Sequence, residues 1–311
     1  MGKAAGLKGL MFVLCCIGLV GVPEARGQEA NKQQHAHPRE FWRTIAKNHY
    51  AVPVGEEVFP LVRELSGYLG SPDPELRDDL AYSILAVWIV RQKQLPAEEL
   101  LTLLEEWQGN LRDGIGEAGM DSVFKRSFSA LCLELLAERD LKEPFLGETR
   151  YRNLVDEALL YLRSERDLRG FDAKKGWIHA TAHTADLLAA LAENRLFTQQ
   201  DHSRVLEAIA ERLASANEIF SYGEQDRLSA VAAAMIARND FDNAQWNSWV
   251  AKLDKEDSSL WKDVPPKVQA LARFENDSYF LRAVVAQISL RAGTPASAEA
   301  QKTVLAVLRQ R

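Results

Sequence analysis

The chain has 311 residues, 47% of them hydrophobic and 26% charged, with 38 Lys and Arg against 44 Asp and Glu for a formal net charge of −6. Basic residues are interleaved with acids along every helical stretch instead of gathering in a patch, which argues against a nucleic-acid partner. Two of the three cysteines, Cys15 and Cys16, sit in an N-terminal apolar run, so the mature chain keeps only Cys132; it forms no internal disulfide framework and a hydrophobic core must hold it.

The N-terminus has the three parts of a secretory signal: Lys3 and Lys8, the apolar run 10–22, and Ala25-Arg26-Gly27 with small residues where a signal peptidase reads. The run is shorter than the roughly 20 residues that span a bilayer, so cleavage before Gln28 and export to the periplasm or medium are expected, with no membrane span left. Bulky Val13 and Leu14 ahead of Cys15 do not suit a lipobox. The mature chain carries 35 basic and 43 acidic residues, a net charge of −8. Residues 28–38, QEANKQQHAHP, read as a disordered lead-in, and His35 and His37 as linker histidines.

From Phe41 onward apolar residues recur at helical spacing, and alternating β-branched runs bounded by hairpin signals are missing. The pattern predicts helices over 39–48, 56–69, 74–93, 97–110, 120–138, 151–163, 175–193, 199–216, 225–238, 243–253, 266–274 and 278–291, with a last one from Ala296. Ser71-Pro72-Asp73-Pro74 supplies a capping residue and a first-turn proline, and Gly114 and Gly116 loosen a loop. So many helices exceed one bundle. The expected fold is all-α over 39–311, a stack of helical hairpins in the HEAT or armadillo manner with degenerate repeats. Cys132 reads as a small buried hydrophobe, since nothing basic sits beside it.

Residues 165–186, ERDLRGFDAKKGWIHATAHTAD, hold the one dense polar constellation. If a helix runs through 175–193, His179, His183 and Asp186 share one face, Lys175 extends the stripe, and Trp177, Ala180, Leu187, Leu188 and Leu191 lie opposite, against the core. Ala182, Ala185 and Ala189 leave room for a neighbouring helix. Three readings of the stripe stay open. An i, i+4 histidine pair with an Asp one turn on can chelate a divalent metal, although Ala180 stands where a zincin carries its Glu. The same groups can form a binding or catalytic site without metal. They can equally form a polar seam in which the histidines bond to Asp186, Glu165 or Asp167. Glu165, Asp167 and Arg169, before Gly170, also suit capping of the next helix, as do Glu224 and Asp226 ahead of Arg227 in SYGEQDRLSA.

The run Asp121-Ser122-Val123-Phe124-Lys125-Arg126-Ser127-Phe128-Ser129, then Tyr161-Leu162, Glu165-x-Asp167-x-Arg169-Gly170, Lys175-Gly176-Trp177-x-His179-Ala180, Ala182-His183-x-Ala185-Asp186-Leu187-Leu188 and Gly223-Glu224-x-Asp226-Arg227-Leu228 resembles a bacterial family of uncharacterised all-helical proteins, a domain of unknown function. The resemblance covers roughly residues 73–249. It implies an all-helical fold and brings no activity, substrate or cofactor. Thr184 and Ile178 depart from the smaller residues the resemblance implies, as does the secretory signal. The expected function is a scaffold binding a protein or small-molecule ligand. The alternative is a metal-dependent hydrolase on His179, His183 and Asp186 with Glu165, Asp167 or Glu224 as base or further ligand.

Overall fold

A computed structural model of the protein describes residues 36–311 except 258–259, 261–262 and 292, so the signal and most of the lead-in fall outside the described residues. The compact unit runs from His37 to Arg311. Its chain order is α1 (Arg39–Lys47), α2 (Val58–Tyr68), α3 (residues 75–91), α4 (Ala97–Asn110), α5 (Ser122–Lys142), α6 (Gly147–Ser164), β1 (Phe171–Asp172), β2 (Gly176–Trp177), α7 (Ala180–Ala192), α8 (Gln199–Ser215), α9 (Glu224–Ile236), α10 (Asn243–Asp257), α11 (Val268–Leu290) and α12 (Pro295–Leu308). Among the described residues the protein is all-α apart from one two-stranded antiparallel ribbon that pairs Phe171 with Trp177 and Asp172 with Gly176. Among the described residues no helix is long and apolar enough to cross a membrane.

The helices start and stop for local reasons. Asp73 accepts the Leu76 amide at the start of α3, and Thr198 and Thr294 form reciprocal capping boxes with Asp201 and Ser297. Within α3, Glu75–Tyr82 and Val87–Arg91 take the wider π pitch around an α turn at Ser83–Ala86, a departure often found beside functional sites. The expected break between 274 and 278 does not occur, and α11 is continuous. Asn276, within the expected break, is buried and spends its side chain on the Phe220 amide, the Glu218 carbonyl and Gln225.

Helix α7 packs between α5 and α9, and α9 in turn against α11; α4 backs α5, and α6 backs α7 and α8. The alanines explain the intimacy of α7. Ala182 and Ala185 are fully buried and Ala189 partly so, leaving backbone-close approach on both sides. Trp42, Trp88, Trp107 and Trp246 fill the core without exposure. Cys132 is buried and free, with burial raising its thiol pKa well above the ordinary range. His37 is no linker histidine. It bonds to Glu64 through both its amide (2.6 Å) and Nδ1 (2.7 Å) and stacks on Phe41 at 4.0 Å.

Three buried arginines tie loops to this frame. Arg77 of α3 donates to the carbonyls of Ser71, Lys175 and Trp177 and lies 4.1 and 4.6 Å from the ring centroids of Phe124 and Phe128. Arg126 of α5 grips Glu165 at 2.7 and 3.2 Å and also donates to the carbonyls of Asp113 and Gly114. Arg212 of α8 donates to the carbonyls of Leu162 and Glu165, and burial pushes it down to about 10. Removing one partner of such a buried pair strands the other. Arg126→Met should therefore lower the unfolding free energy by roughly 3–5 kcal/mol, and adding Glu165→Met should recover part of that in chemical denaturation. A cost for the single variant within the scatter of surface substitutions would contradict the pairing.

Candidate functional site

The segment expected to be the first turns of α7 is instead the β-ribbon. The Asp172 carboxylate accepts the amides of Lys174 and Lys175 at 2.8 Å each, and Gly176 takes φ +74°, where a Cβ would meet Pro74 at 2.8 Å. An Asx-type turn closed by glycine competes successfully with helix at this point. Two expectations change as a result. Lys175 leaves the stripe and pairs with Asp121 at 2.6 Å, while Trp177 is 42% exposed instead of buried.

The acids of the preceding loop do not serve the histidines. Glu165 belongs to Arg126 and accepts the amides of Arg166 and Asp167. Asp167, 1% exposed, holds Arg169 at 2.6–3.1 Å and accepts the Gly119 amide at 2.9 Å. Neither caps α7. Its N-cap is His179 itself, in the left-handed region at φ +51° with no side-chain cap, a strained position for a residue with a Cβ.

His179 and His183 remain adjacent, their ring centroids 5.7 Å apart, but they face inward at 7% and 6% exposure instead of looking out from the core. The hydrogen-bond network assigns their tautomers. The Tyr222 carbonyl only accepts, so His179 Nε2 donates to it at 2.8 Å. Ser127 Oγ donates to the Ile178 carbonyl, so it accepts from His183 Nδ1 at 2.8 Å. His179 Nδ1 and His183 Nε2 are left as acceptors, without hydrogen-bond partners among the described residues. Burial lowers the pKa of both rings, that of His183 well below the usual range, with the charges of His179, Arg227 and Arg77 adding to the effect. Ser127 is fully buried and its proton is committed, so it is not a nucleophile beside a base.

Asp186, the third member of the expected metal set, turns to Arg227 at 2.6 Å. Among the described residues no three His, Cys, Asp or Glu side chains form a group able to hold a metal ion. The stripe is thus divided between a histidine seam and an ion pair. Asp186 and Arg227 instead line a cavity of about 380 Å3 with Tyr82, Glu134, Glu138 and Glu193. Burial, then the charges of Glu138 and Asp186, push the Glu134 carboxyl up to about 8, and burial raises Asp186 against the pull of Arg227. The i, i+4 acids Glu134 and Glu138 were visible in SALCLELLAE as polar positions in an apolar helix, but their convergence on α7 was not.

On the ribbon side lies an exposed aromatic face. Phe171, Trp177, Tyr222 and Ile219 are 40–48% exposed. Phe171 meets Trp177 edge-on at 4.9 Å, Tyr222 lies 6.2 and 6.5 Å from the two, and His179 stacks under Trp177 at 4.6 Å. Beside it Glu224, 2% exposed, accepts the Tyr222 amide through Oε2 at 2.9 Å and brings Oε1 to 3.7 Å from His179 Nε2. Sequence reasoning placed Glu224 near the motif and missed Phe171, Ile219 and Tyr222, whose clustering depends on the ribbon and on a loop 40 residues and more away in sequence.

An all-helical protein with a buried histidine seam, an acidic cavity and an aromatic face is the class these elements define. The chain belongs to the family described as "Protein of unknown function (DUF2785)", whose model matches residues 111–286, more than half of its length. The match begins later and ends later than the expected 73–249. No curated protein and no solved structure matches the chain.

Because the folded-state pKa of His183 lies below its unfolded value near 6.5, the seam is fully stabilising above that value. It loses stability as pH falls, when the unfolded chain takes the proton first. His183→Gln should flatten the stability profile between pH ~6.5 and ~5 by about 1 kcal/mol per pH unit relative to the parent. Parallel profiles in denaturant titrations would contradict a neutral, buried His183.

Proposed function

We propose that the protein is an exported helical ligand-binding scaffold whose binding face is the aromatic surface of Phe171, Trp177, Tyr222 and Ile219, seated on His179 and Glu224. One observation carries this reading. Four large apolar side chains stand 40–48% exposed side by side, on a ribbon and loop that buried Arg77, His179 and Asn276 fix to the helices. Exposed apolar residues scattered singly need no explanation, but a contiguous group on a rigid support marks an interaction site. Rigid aromatic anchors are also what recognition surfaces favour, because little rotamer entropy is lost on binding.

The scaffold part of the proposal is a stack of helical hairpins. The row α5, α7, α9 and α11, backed by α4, α6 and α8, supports it, since each inner helix packs on the next. Binding is favoured over hydrolysis by the seam: each histidine spends one ring nitrogen on a structural bond, and Asp186 is spent on Arg227.

Crystals soaked in isopropanol test the face. Probe molecules should collect over Trp177 and Tyr222, and the double substitution Trp177→Ala with Tyr222→Ala should abolish that site while changing stability by no more than ~1 kcal/mol. Probes gathering elsewhere and sparing this face would refute the reading. Intact mass of the exported chain should show a start at Gln28.

A further inference from the structure

Beneath the aromatic face is a cavity of about 280 Å3, lined by Arg169, Gly170, Phe171, Glu218, Tyr222 and Glu224 among others. Among its buried polar atoms, Glu224 Oε1 is unspent. Glu224 is 2% exposed, yet its Oε1 has no donor among the described residues, because the nearest, His179 Nε2 at 3.7 Å, gives its proton to the Tyr222 carbonyl. Glu224 is among the residues that line the cavity. Tyr222 and Glu224 pack directly on Gly170: a Cβ there would come within 2.6 Å of Glu224 Oε1 and 2.5 Å of the Tyr222 ring, so both side chains hold these places in the cavity wall only with glycine at this position.

We infer that this cavity is a recognition site for an alkylammonium group, with Glu224 Oε1 as its anionic anchor and the rings of Phe171 and Tyr222 as its walls. The inference rests on the reading of this face as a binding surface and names what it binds. A buried carboxylate with an open lone pair calls for a charged donor, and aromatic faces next to it attract a cation. The remaining charges agree. Glu218 adds a second carboxylate at the rim, while the Arg169 guanidinium is held by Asp167 and donates to the Met120 carbonyl, turned away to another loop. Two carboxylates exclude an anionic ligand. A guanidinium is disfavoured because its fork needs both carboxylate oxygens, and Oε2 is occupied by the Tyr222 amide.

The source of the ammonium group is either a free amine or a lysine side chain, and one titration series distinguishes them. The mature protein is titrated by calorimetry and ligand-observed NMR with n-butylamine, Nα-acetyl-lysine amide, n-butylguanidine and n-butanol. The two amines should bind and n-butanol should not, with Glu224→Gln weakening the amines about tenfold or more. Tighter binding of the lysine derivative than of n-butylamine assigns a protein ligand, and the reverse a free amine; both support the site. Should Glu224→Gln fail to fold, Gly170→Ala displaces the Tyr222 ring and Glu224 Oε1 from the cavity wall and is expected to abolish amine binding. Amines that do not bind at millimolar concentration, or bind Glu224→Gln equally well, overturn the inference. Preference for n-butanol or n-butylguanidine over the amines would overturn it too, while leaving the aromatic face as a binding surface; only loss of the isopropanol site removes that.

Discussion

The structure turns on guanidinium groups buried where carbonyl oxygens converge. Arg77, Arg126 and Arg212 are 0–3% exposed, and burying a charge is costly unless it is paired and its hydrogen bonds are met. Each spends guanidinium N–H groups on backbone carbonyls: Arg77 on the ribbon, Arg126 on the 113–114 loop beside its pair with Glu165, Arg212 on the end of α6 and Glu165. Irregular backbone has unsatisfied carbonyls, and buried arginines supply five donors each. That match lets a helical protein hold a short ribbon and a left-handed His179 without a sheet around them.

Rigidity there has a functional corollary. An aromatic ring on a floppy loop loses entropy when it binds, whereas Trp177, stacked on His179 and held through its own carbonyl by Arg77, is already placed. The histidines act as struts. Burial keeps them neutral, and each uses one nitrogen to bind a carbonyl or hydroxyl of a neighbouring segment. The acidic cavity of Glu134, Glu138, Asp186 and Glu193 lies further along α7, and its raised carboxyl pKa values follow from the same burial.

Much of this fold was legible in the sequence because helices announce themselves by period and caps. Residues 97–110 are α4 to the residue, and the alanine flank of α7 does admit its neighbours. The errors share one cause. A helical period drawn through 175–179 ignored that Asp172 and Gly176 close a turn, so Lys175 and Trp177 were given faces they do not have. The helix expected to break between 274 and 278 runs on through Asn276, whose tertiary partners, Phe220 and Glu218, lie more than 50 residues away. His179 and His183 were found by spacing, but their burial was not, since periodicity shows which residues share a face and not which neighbour covers it. Arg77 carried no sequence signal beyond its charge, and Arg126 stood within the family-like run with no role attached.

Hydrogen exchange of the Arg77→Met variant tests most directly whether a buried arginine preorganises the binding face. The account predicts that amides of residues 170–179 lose protection while those of α5, α7 beyond its first turn and α9 keep it, since the carbonyls that lose their donor are those of Lys175, Trp177 and Ser71. Unchanged protection across 170–179, or a uniform loss over the whole protein, would contradict it.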